Sequence, residues 1–495
     1  MGRPVISRTA LIKWLARIAW GITGVVLTGL YLYYLQSQSR PDLQFWHRED
    51  VARAVVPELS LKANVDLSDY MAHEKLIFTR LDQKVALEGN GLPNWHRYSD
   101  VAHAIYRAAW PDGNRTSLQT PHDKHGAVLL VHGLSDSTNS MQPIAHSLSR
   151  HGYQTLNLRM PGHGTLPGAL QSVTWRQFRN AYRLGVAALT EELEPGQPLI
   201  LVGYSNGATL AVNYTLNAIL KQDGQRIPDL LVLISPAMRV SPVAAYARIQ
   251  RWISELPGME KLGWTDVVAE FDPFKYNSFP VYAGEQIYRL TARLEKNLSR
   301  LGDEQLQRFP PVLAFQSVLD ATIAPASVID GLLDRLGGTP AELVLFDINR
   351  QSNMLPLLAD RGDPLLDSLK ARQDIGFDLT IVSNEGTSSG QVAARTRRRG
   401  ENSWNEQGTD MHWPRNVYSL SHMALPFDAN DPIYGLNKGD GLMRLGELWF
   451  KGERGGLGVP LGLLARQRFN PFFAYLEQRV LEAADAVTPA AVNTP

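Results

Sequence analysis

The sequence predicts an α/β fold: a mostly parallel sheet with helices on both faces. Three observations predict it. Short β-rich runs recur at 127–133, 153–159, 199–205, 230–236 and 312–318, and helix-length segments such as 141–151 and 175–193 separate most of them. Alternation of this kind lays consecutive strands parallel in one sheet and packs the intervening helices over it. The run LILVGYS passes directly into NGATLAVNYTL, so a serine stands where a strand turns into a helix, at the carboxyl end of a strand, where chemistry gathers in such folds. With 44% hydrophobic and 20% charged residues, the 495-residue chain can bury a large core.

Composition also excludes functions. Lys+Arg and Asp+Glu both number 49, which gives no reason to expect nucleic acid as a partner. The absence of cysteine excludes disulfides, thiolate metal sites and a cysteine nucleophile.

Taken in order, residues 1–40 read as a membrane anchor. Ile18 to Leu35 carries no charge, and its 18 residues span roughly 27 Å as a helix, close to the ~30 Å hydrocarbon core. Arg3, Arg8, Lys13 and Arg17 precede it without an acid, which predicts a cytoplasmic N-terminus and places the remainder on the far, periplasmic or extracellular, side. Trp20, Tyr31, Tyr33 and Tyr34 suit the two interfaces. A signal peptide cleaved near Ser37-Gln38-Ser39 and a buried soluble helix are the alternatives. Residues 41–100 read as a helical arm without recognisable chemistry. The first part of the core, 101–240, opens with a possible strand at 103–109. A helical insertion, 241–309, separates it from the second part, 310–430, and 431–495 form a C-terminal extension.

In GYSNG, 203–207, the chain turns sharply from strand to helix, and Gly203 and Gly207 supply the room that the turn requires. The turn lifts Ser205 Oγ to the positive end of a helix over 206 to about 221 and aims the Asn206 N–H at a developing oxyanion. A merely structural glycine turn is the competing reading.

GYSNG, together with VLLVHGLSDS (128–137), RMPGHGTLPG (159–168), VLDATIAP (318–325) and SHMALPF (421–427), resembles the α/β-hydrolase superfamily over roughly residues 100–430. The similarity is to the branch holding monoacylglycerol lipases, lysophospholipases and serine aminopeptidases. It implies an α/β-hydrolase fold in which 241–309 is the cap over the serine. Trp252, Phe271, Phe274 and Tyr282 are expected mostly to fill the cap's own core. The branch carries D-x-R-G-H-G, whereas this chain has Asn157 and Pro161-Gly162-His163-Gly164, a departure that bears on the subfamily rather than the fold.

A seryl hydroxyl needs a histidine to take its proton and a carboxylate to orient that imidazole, here in the chain order serine, acid, histidine. Asp320, after the run VLAFQSV, resembles the family's acid, with Asp347 as substitute. His422 is favoured as the base over His412, because the β-like VYSLS before it would return it over the sheet. His132 and His163 read as hydrogen-bonded structural residues, and His132-Gly133 precede Leu134, the expected second oxyanion donor. Asp320 and His422 lie 102 residues apart, so an insertion is expected at about 349–416: a strand-like 377–384, then a glycine-, serine- and arginine-rich mobile loop. In that loop Arg395, Arg397, Arg398 and Arg399 read as solvated, with anionic headgroups as an alternative partner.

The expected function is that of a membrane-anchored serine hydrolase cleaving carboxylic esters, lipid-derived ones such as a monoacylglycerol or lysophospholipid, through an acyl-enzyme on Ser205. No metal or organic cofactor is implied. A serine aminopeptidase, with Glu255, Glu260 and Asp266 to hold an amine, an acyltransferase and a non-catalytic scaffold are the alternatives.

Overall fold

A computed structural model describes residues 8–61, 65–222, 224–239, 247–352, 355–357, 361–386, 389–436, 444–446 and 466–489. Arg3 and the first insertion residues, 241–246, lie outside them. Helix α1 (Arg8–Gln38) contains one window, Ile12–Gln38, long and apolar enough to cross a membrane, a property of length and composition that a signal sequence shares. Its end is tied to the body of the protein. Gln38 Nε2 donates to Gly258 O at 3.0 Å, Arg40 Nη1 to Lys261 O at 3.0 Å, and Lys261 Nζ meets Asp42 Oδ1 at 2.7 Å.

The arm forms α2 (Glu49–Val55) and α3 (Leu67–Glu88). The possible strand at 103–109 is instead helix α4 (Asp100–Ala109). Ser99 Oγ caps it at Ala102 N, 3.0 Å away, and the buried Ala102 and Tyr106 recur at the helical interval of four, not at alternate positions.

The sheet has a short edge strand, β1 (Ser117–Gln119), followed in sequence by β2 (Gly126–Val131), β3 (Tyr153–Leu158), β4 (Leu199–Tyr204) and β5 (Leu230–Ile234). Strands β2 to β5 are buried along their whole length because both faces are covered, which is why they read as continuous apolar runs. Leu129 and Val131 face one layer with Phe178 and Tyr182 of α6 (Trp175–Glu191) and Leu210 of α7 (Asn206–Lys221). Val128 and Leu130 face the other, against Ile144 and Leu148 of α5 (Gln142–Arg150).

Segment 247–309 forms α8 (Ala247–Ser254), a ribbon of β6 (Trp264–Asp266) and β7 (Phe279–Pro280), α9 (Val281–Leu298) and α10 (Asp303–Gln307). Phe271 and Phe274 are buried, but Trp252, expected in the same core, is 63% exposed because it lies on the outer side of α8. Tyr282 is partly exposed, with the Arg251 guanidinium 4.3 Å from its ring centre.

The sheet resumes with β8 (Val312–Ser317) and β9 (Ala341–Phe346), and helix α11 (Pro325–Ile329) lies between them. Beyond α12 (Asp363–Ala371), the expected mobile loop is mostly sheet. Strand β10 (Asp378–Asn384) joins β9 in parallel, and β11 (Gln391–Arg397) and β12 (Asn405–His412) continue the sheet antiparallel. Strand order is β1-β3-β2-β4-β5-β8-β9-β10-β11-β12. The arginines explain the discrepancy. Arg395 Nε pairs with Glu406 Oε2 across the strands at 2.8 Å, Arg397 Nη2 donates to Leu369 O at the end of α12 at 2.7 Å, and Arg398 Nη1 meets Asp378 Oδ2 at 2.6 Å. Arg399 Nη1 donates to Gly338 O at 2.7 Å, so all four side chains are tied into the extension; Arg397 is buried and Arg395 half-buried, while Arg398 and Arg399 stay exposed as solvated residues.

VYSLS is likewise not a strand; Asn349 takes up its backbone, donating from N to Tyr418 O at 2.7 Å and from Nδ2 to Val417 O at 2.9 Å. The C-terminal extension contributes α13 (Phe473–Val487), whose Leu476 and Val480 close the layer under Val128 and Leu130.

Candidate active site

Ser205 sits between β4 and α7 at φ 53° and ψ −110°, a conformation that L residues avoid, with its N–H bonded to Ile234 O at 2.9 Å. The glycines around it have no room for a side chain. A Cβ at residue 203 would stand 2.3 Å from Ala208 N, and one at residue 207 would stand 2.0 Å from Val131 O. Of the four non-glycine residues with positive φ among the described residues, Ser135, Ser205 and Ser235 all lie at strand-end turns on this rim of the sheet. Each such residue costs roughly 1–3 kcal/mol, and strain of this kind collects where function demands it.

Asp320, just after β8, and His422, in a short 3-10 turn over His422–Ala424, come together across the insertion. His422 Nδ1 lies 2.8 Å from Asp320 Oδ2. The carboxylate is held from every side: Thr322 N and Ile323 N donate to Oδ1 at 2.8 Å, and Gln316 Nε2 donates to Oδ2 at 2.9 Å. Burial by itself would raise the Asp320 carboxyl, but the adjacent His422 charge and the hydrogen bonds from His422, Ser235 and Ile323 outweigh it and keep the group below its ordinary value.

Ser235 is a residue that sequence reasoning missed. Its hydroxyl donates to Asp320 Oδ2 and lies 2.7 Å from His422 Nδ1. It ends the strand next to Ser205's own, and its place after LLVLI was the available signal.

Tyr204 packs against the imidazole with ring centres 5.2 Å apart and donates to His422 O at 3.3 Å. Ser205, the next residue, makes no hydrogen bond to His422 in the structure; catalytic hydrogen bonds commonly tighten only with substrate bound. The competing candidates lie elsewhere. Asp347 is engaged by Arg350 at 2.8 and 3.0 Å, and His412 is exposed on β12 with Nδ1 3.3 Å from Asp410 O.

The loop after β2 lies against the serine: a Cβ at Gly133 would meet Ser205 Cβ at 3.3 Å. Leu134 follows in that loop, and Tyr276 N ties it down by donating to Ser135 O at 2.7 Å. His132 Nε2 accepts from Met160 N at 3.0 Å, so its proton is on Nδ1, which faces Gly133 O at 2.8 Å. His163 packs edge-on against it with ring centres 4.9 Å apart.

Burial holds His132 well below its usual value and His163 at about 4; His47 and His96, also buried, fall to about 3 and about 4. All four stay neutral in the folded protein while the unfolded chain takes up protons below about pH 6.5. Their stabilising contribution is therefore complete above pH 6.5 and is lost as pH falls toward 4. Urea unfolding at pH 7 and pH 5 is expected to show a lower midpoint at pH 5; an equal or higher one would count against this reading.

The turn PGHG is held from the arm. Counting back from Gly162, Arg159 occupies the place of the aspartate in D-x-R-G-H-G; Asn157 lies inside β3 and donates to Thr138 O at 2.8 Å. The opposite charge is explained by its partners. Arg159 Nε meets Glu74 Oε2 at 2.9 Å and Nη1 meets Glu58 Oε1 at 3.0 Å, with side chains 1%, 5% and 6% exposed respectively. Glu58 also accepts from Gly162 N at 2.6 Å. Arg159→Met would bury two unpaired carboxylates and is expected to cost about 3–5 kcal/mol, read as a lower unfolding midpoint. An unchanged midpoint would show that the arm is held by other contacts.

The acids considered for an amine site do not gather here. Glu255, Glu260 and Asp266 are exposed, while the buried Glu270 and Asp272 accept backbone N–H groups of residues 274–278.

The family model described as serine aminopeptidase, S33, matches residues 122–347. A thermostable monoacylglycerol lipase of Bacillus sp. (strain H-257) is 24% identical over 218 residues, covering 44% of this chain and 79% of that protein. A monoglyceride lipase of Saccharomyces cerevisiae (strain ATCC 204508 / S288c) is 31% identical over 108 residues, covering 21% of this chain and 33% of that protein. Among solved structures, Paleococcus ferrophilus monoacylglycerol lipase matches with a TM-score of 0.35 and 19% identity, over 47% of this chain and 87% of that one.

Proposed function

From the premise that the chain belongs to the α/β-hydrolase superfamily, in its monoacylglycerol-lipase-like branch, and is an ester-cleaving serine hydrolase, we propose that Ser205, His422 and Asp320 are its catalytic triad and a lipid-derived ester its substrate. The observation that carries the reading is the Asp320–His422 pair, assembled from residues 102 apart at the sheet end where the strained Ser205 turn stands.

Ser205 Oγ attacks the acyl carbon as His422 Nε2 takes its proton. Asp320 Oδ2 fixes the imidazole proton on Nδ1 and balances the imidazolium. The N–H groups of Leu134 and Asn206 stabilise the tetrahedral anion. His422 then returns the proton to the leaving alkoxide, and water, activated by the same imidazole, releases the acid. The relatives' activity supports a monoacylglycerol, with a lysophospholipid as alternative, and the apolar α1 beside the 247–309 segment supports an ester met at a bilayer with α1 as the anchor; Arg8, Lys13 and Arg17 ahead of its uncharged run favour a catalytic domain on the far side.

Activity-based labelling tests this reading. A fluorophosphonate is expected to label the membrane fraction at Ser205 and to leave Ser205→Ala unlabelled. Turnover of p-nitrophenyl esters of graded chain length, without turnover of amino-acid amides, is expected alongside; amide turnover alone would overturn it.

A further inference from the structure

Away from the triad, α6, α7 and α9 enclose a cavity of about 230 Å³ lined by Trp175, Arg176, Arg179, Asn213, Asn217, Lys221 and Arg293. Its lining holds four cationic side chains and no carboxylate. Against a whole-chain balance of 49 basic to 49 acidic residues, that concentration is local. Arg176 and Arg179 rest on the Trp175 ring, 5.1 and 5.5 Å from its centre, and Arg179 Nε and Nη2 donate to the neutral Asn180 Oδ1 at 3.2 and 2.9 Å, which fixes this guanidinium in place and leaves its charge without a carboxylate. Nearby acids are engaged elsewhere: Glu285 pairs with Arg289 at 2.5 Å, and Glu295 with Arg335 at 2.7 Å.

At the wall, Asn213 is 1% exposed; its Oδ1 accepts from Asn217 Nδ2 at 2.6 Å, but its own Nδ2 has no partner among the described residues. A buried donor left without an acceptor costs about 1–3 kcal/mol unless something supplies one. Burial, then repulsion from Arg183, Arg176 and Arg293, draws the Arg179 guanidinium below its usual value, as expected where like charges crowd without a counterion.

We propose that this cavity binds a phosphate-bearing anion, either a soluble phosphate or diphosphate or the headgroup of a phosphomonoester lipid. Guanidinium forks and an amide N–H₂ match the several acceptor oxygens of a phosphoryl group, and the volume is below the ~300–1,000 Å³ of pockets that take drug-sized apolar ligands. The site is separate from the chemistry: Asn213 and Lys221 lie about 12 and 24 Å along α7 from Ser205. A bound anion would join α6 and α7 of the core to α9, helices already linked by the Trp175 N–H to Gln286 Oε1 contact of 3.2 Å.

The test uses the detergent-solubilised full chain, titrated calorimetrically and by thermal melting at constant ionic strength. Pyrophosphate, inorganic phosphate, dihexanoyl phosphatidic acid and dihexanoyl phosphatidylcholine are the probes, compared with chloride. Arg179→Gln and Arg293→Gln are each expected to weaken binding about tenfold or more, one charge-assisted hydrogen bond's worth. In chloride alone both variants are expected to melt at or above the wild type, because each removes one of four like charges; this shows that they fold. Tight pyrophosphate or phosphate binding would assign a soluble ligand, and binding of phosphatidic acid alone a lipid headgroup. Equal affinity of wild type and variants, or no probe binding better than chloride, would overturn the proposal.

Discussion

Ser205→Ala is expected to lower kcat/KM for ester hydrolysis roughly 10⁴-fold or more while leaving the protein folded. The two halves of that expectation have separate causes. Activity falls because the attacking oxygen is gone, and the N–H groups of Leu134 and Asn206 can only polarise the carbonyl for water. Stability is retained because alanine keeps the Cβ that the turn already accommodates at φ 53°, and the Ser205 N–H to Ile234 O bond of 2.9 Å belongs to the backbone. Steady-state kinetics on a p-nitrophenyl ester and a thermal melt of the same sample check both. Activity within tenfold of the wild type, in a folded sample, would remove Ser205 from the chemistry.

What could be read from the sequence divides by physical cause. Strands β2, β4, β5 and β8 were legible because burial on both faces leaves an uninterrupted apolar run, and the Ser205 turn because only glycine fits at 203 and 207. Strands β11 and β12 were hidden: Arg395 and Arg397 satisfy Glu406 and the α12 carbonyls instead of alternating with apolar residues, so their composition reads as loop. Helix α4 reads as a strand in sequence because the seven residues 103–109 show too little of a 3.6 period.

Long-range partners were the least legible. Nothing near GYSNG or VLDATIAP announces that Ser235 will reach Asp320, and nothing near RMPGHG announces that Glu58 and Glu74 will neutralise Arg159. For the cationic cavity between α6, α7 and α9, one part is visible in the sequence. Arg176 and Arg179 fall one turn apart on α6, but Lys221 and Arg293 join them only once three helices pack.

Asp320→Asn is expected to lower kcat on the order of 10⁴-fold with little change in KM. In the wild type every group around this carboxylate donates: two backbone N–H groups to Oδ1, then Gln316 Nε2, Ser235 Oγ and the His422 Nδ1 proton to Oδ2. An asparagine must turn its N–H₂ toward one of those sets. Facing the backbone, it sets donor against two donors that cannot rotate away; facing His422, it favours the tautomer with the proton on Nε2, where the base must be empty to receive the serine proton. Either way the imidazole is mispositioned or wrongly protonated. Mild acid slows the wild type by another route, protonation of the imidazole base, because the Asp320 carboxyl is held below its ordinary value and stays ionised throughout the range in which an imidazole titrates. A pH–rate profile distinguishes the cases. The variant should be slow at every pH above 7, whereas a variant recovering wild-type rates at high pH would show that Asp320 acts only through charge on His422 and not through its tautomer.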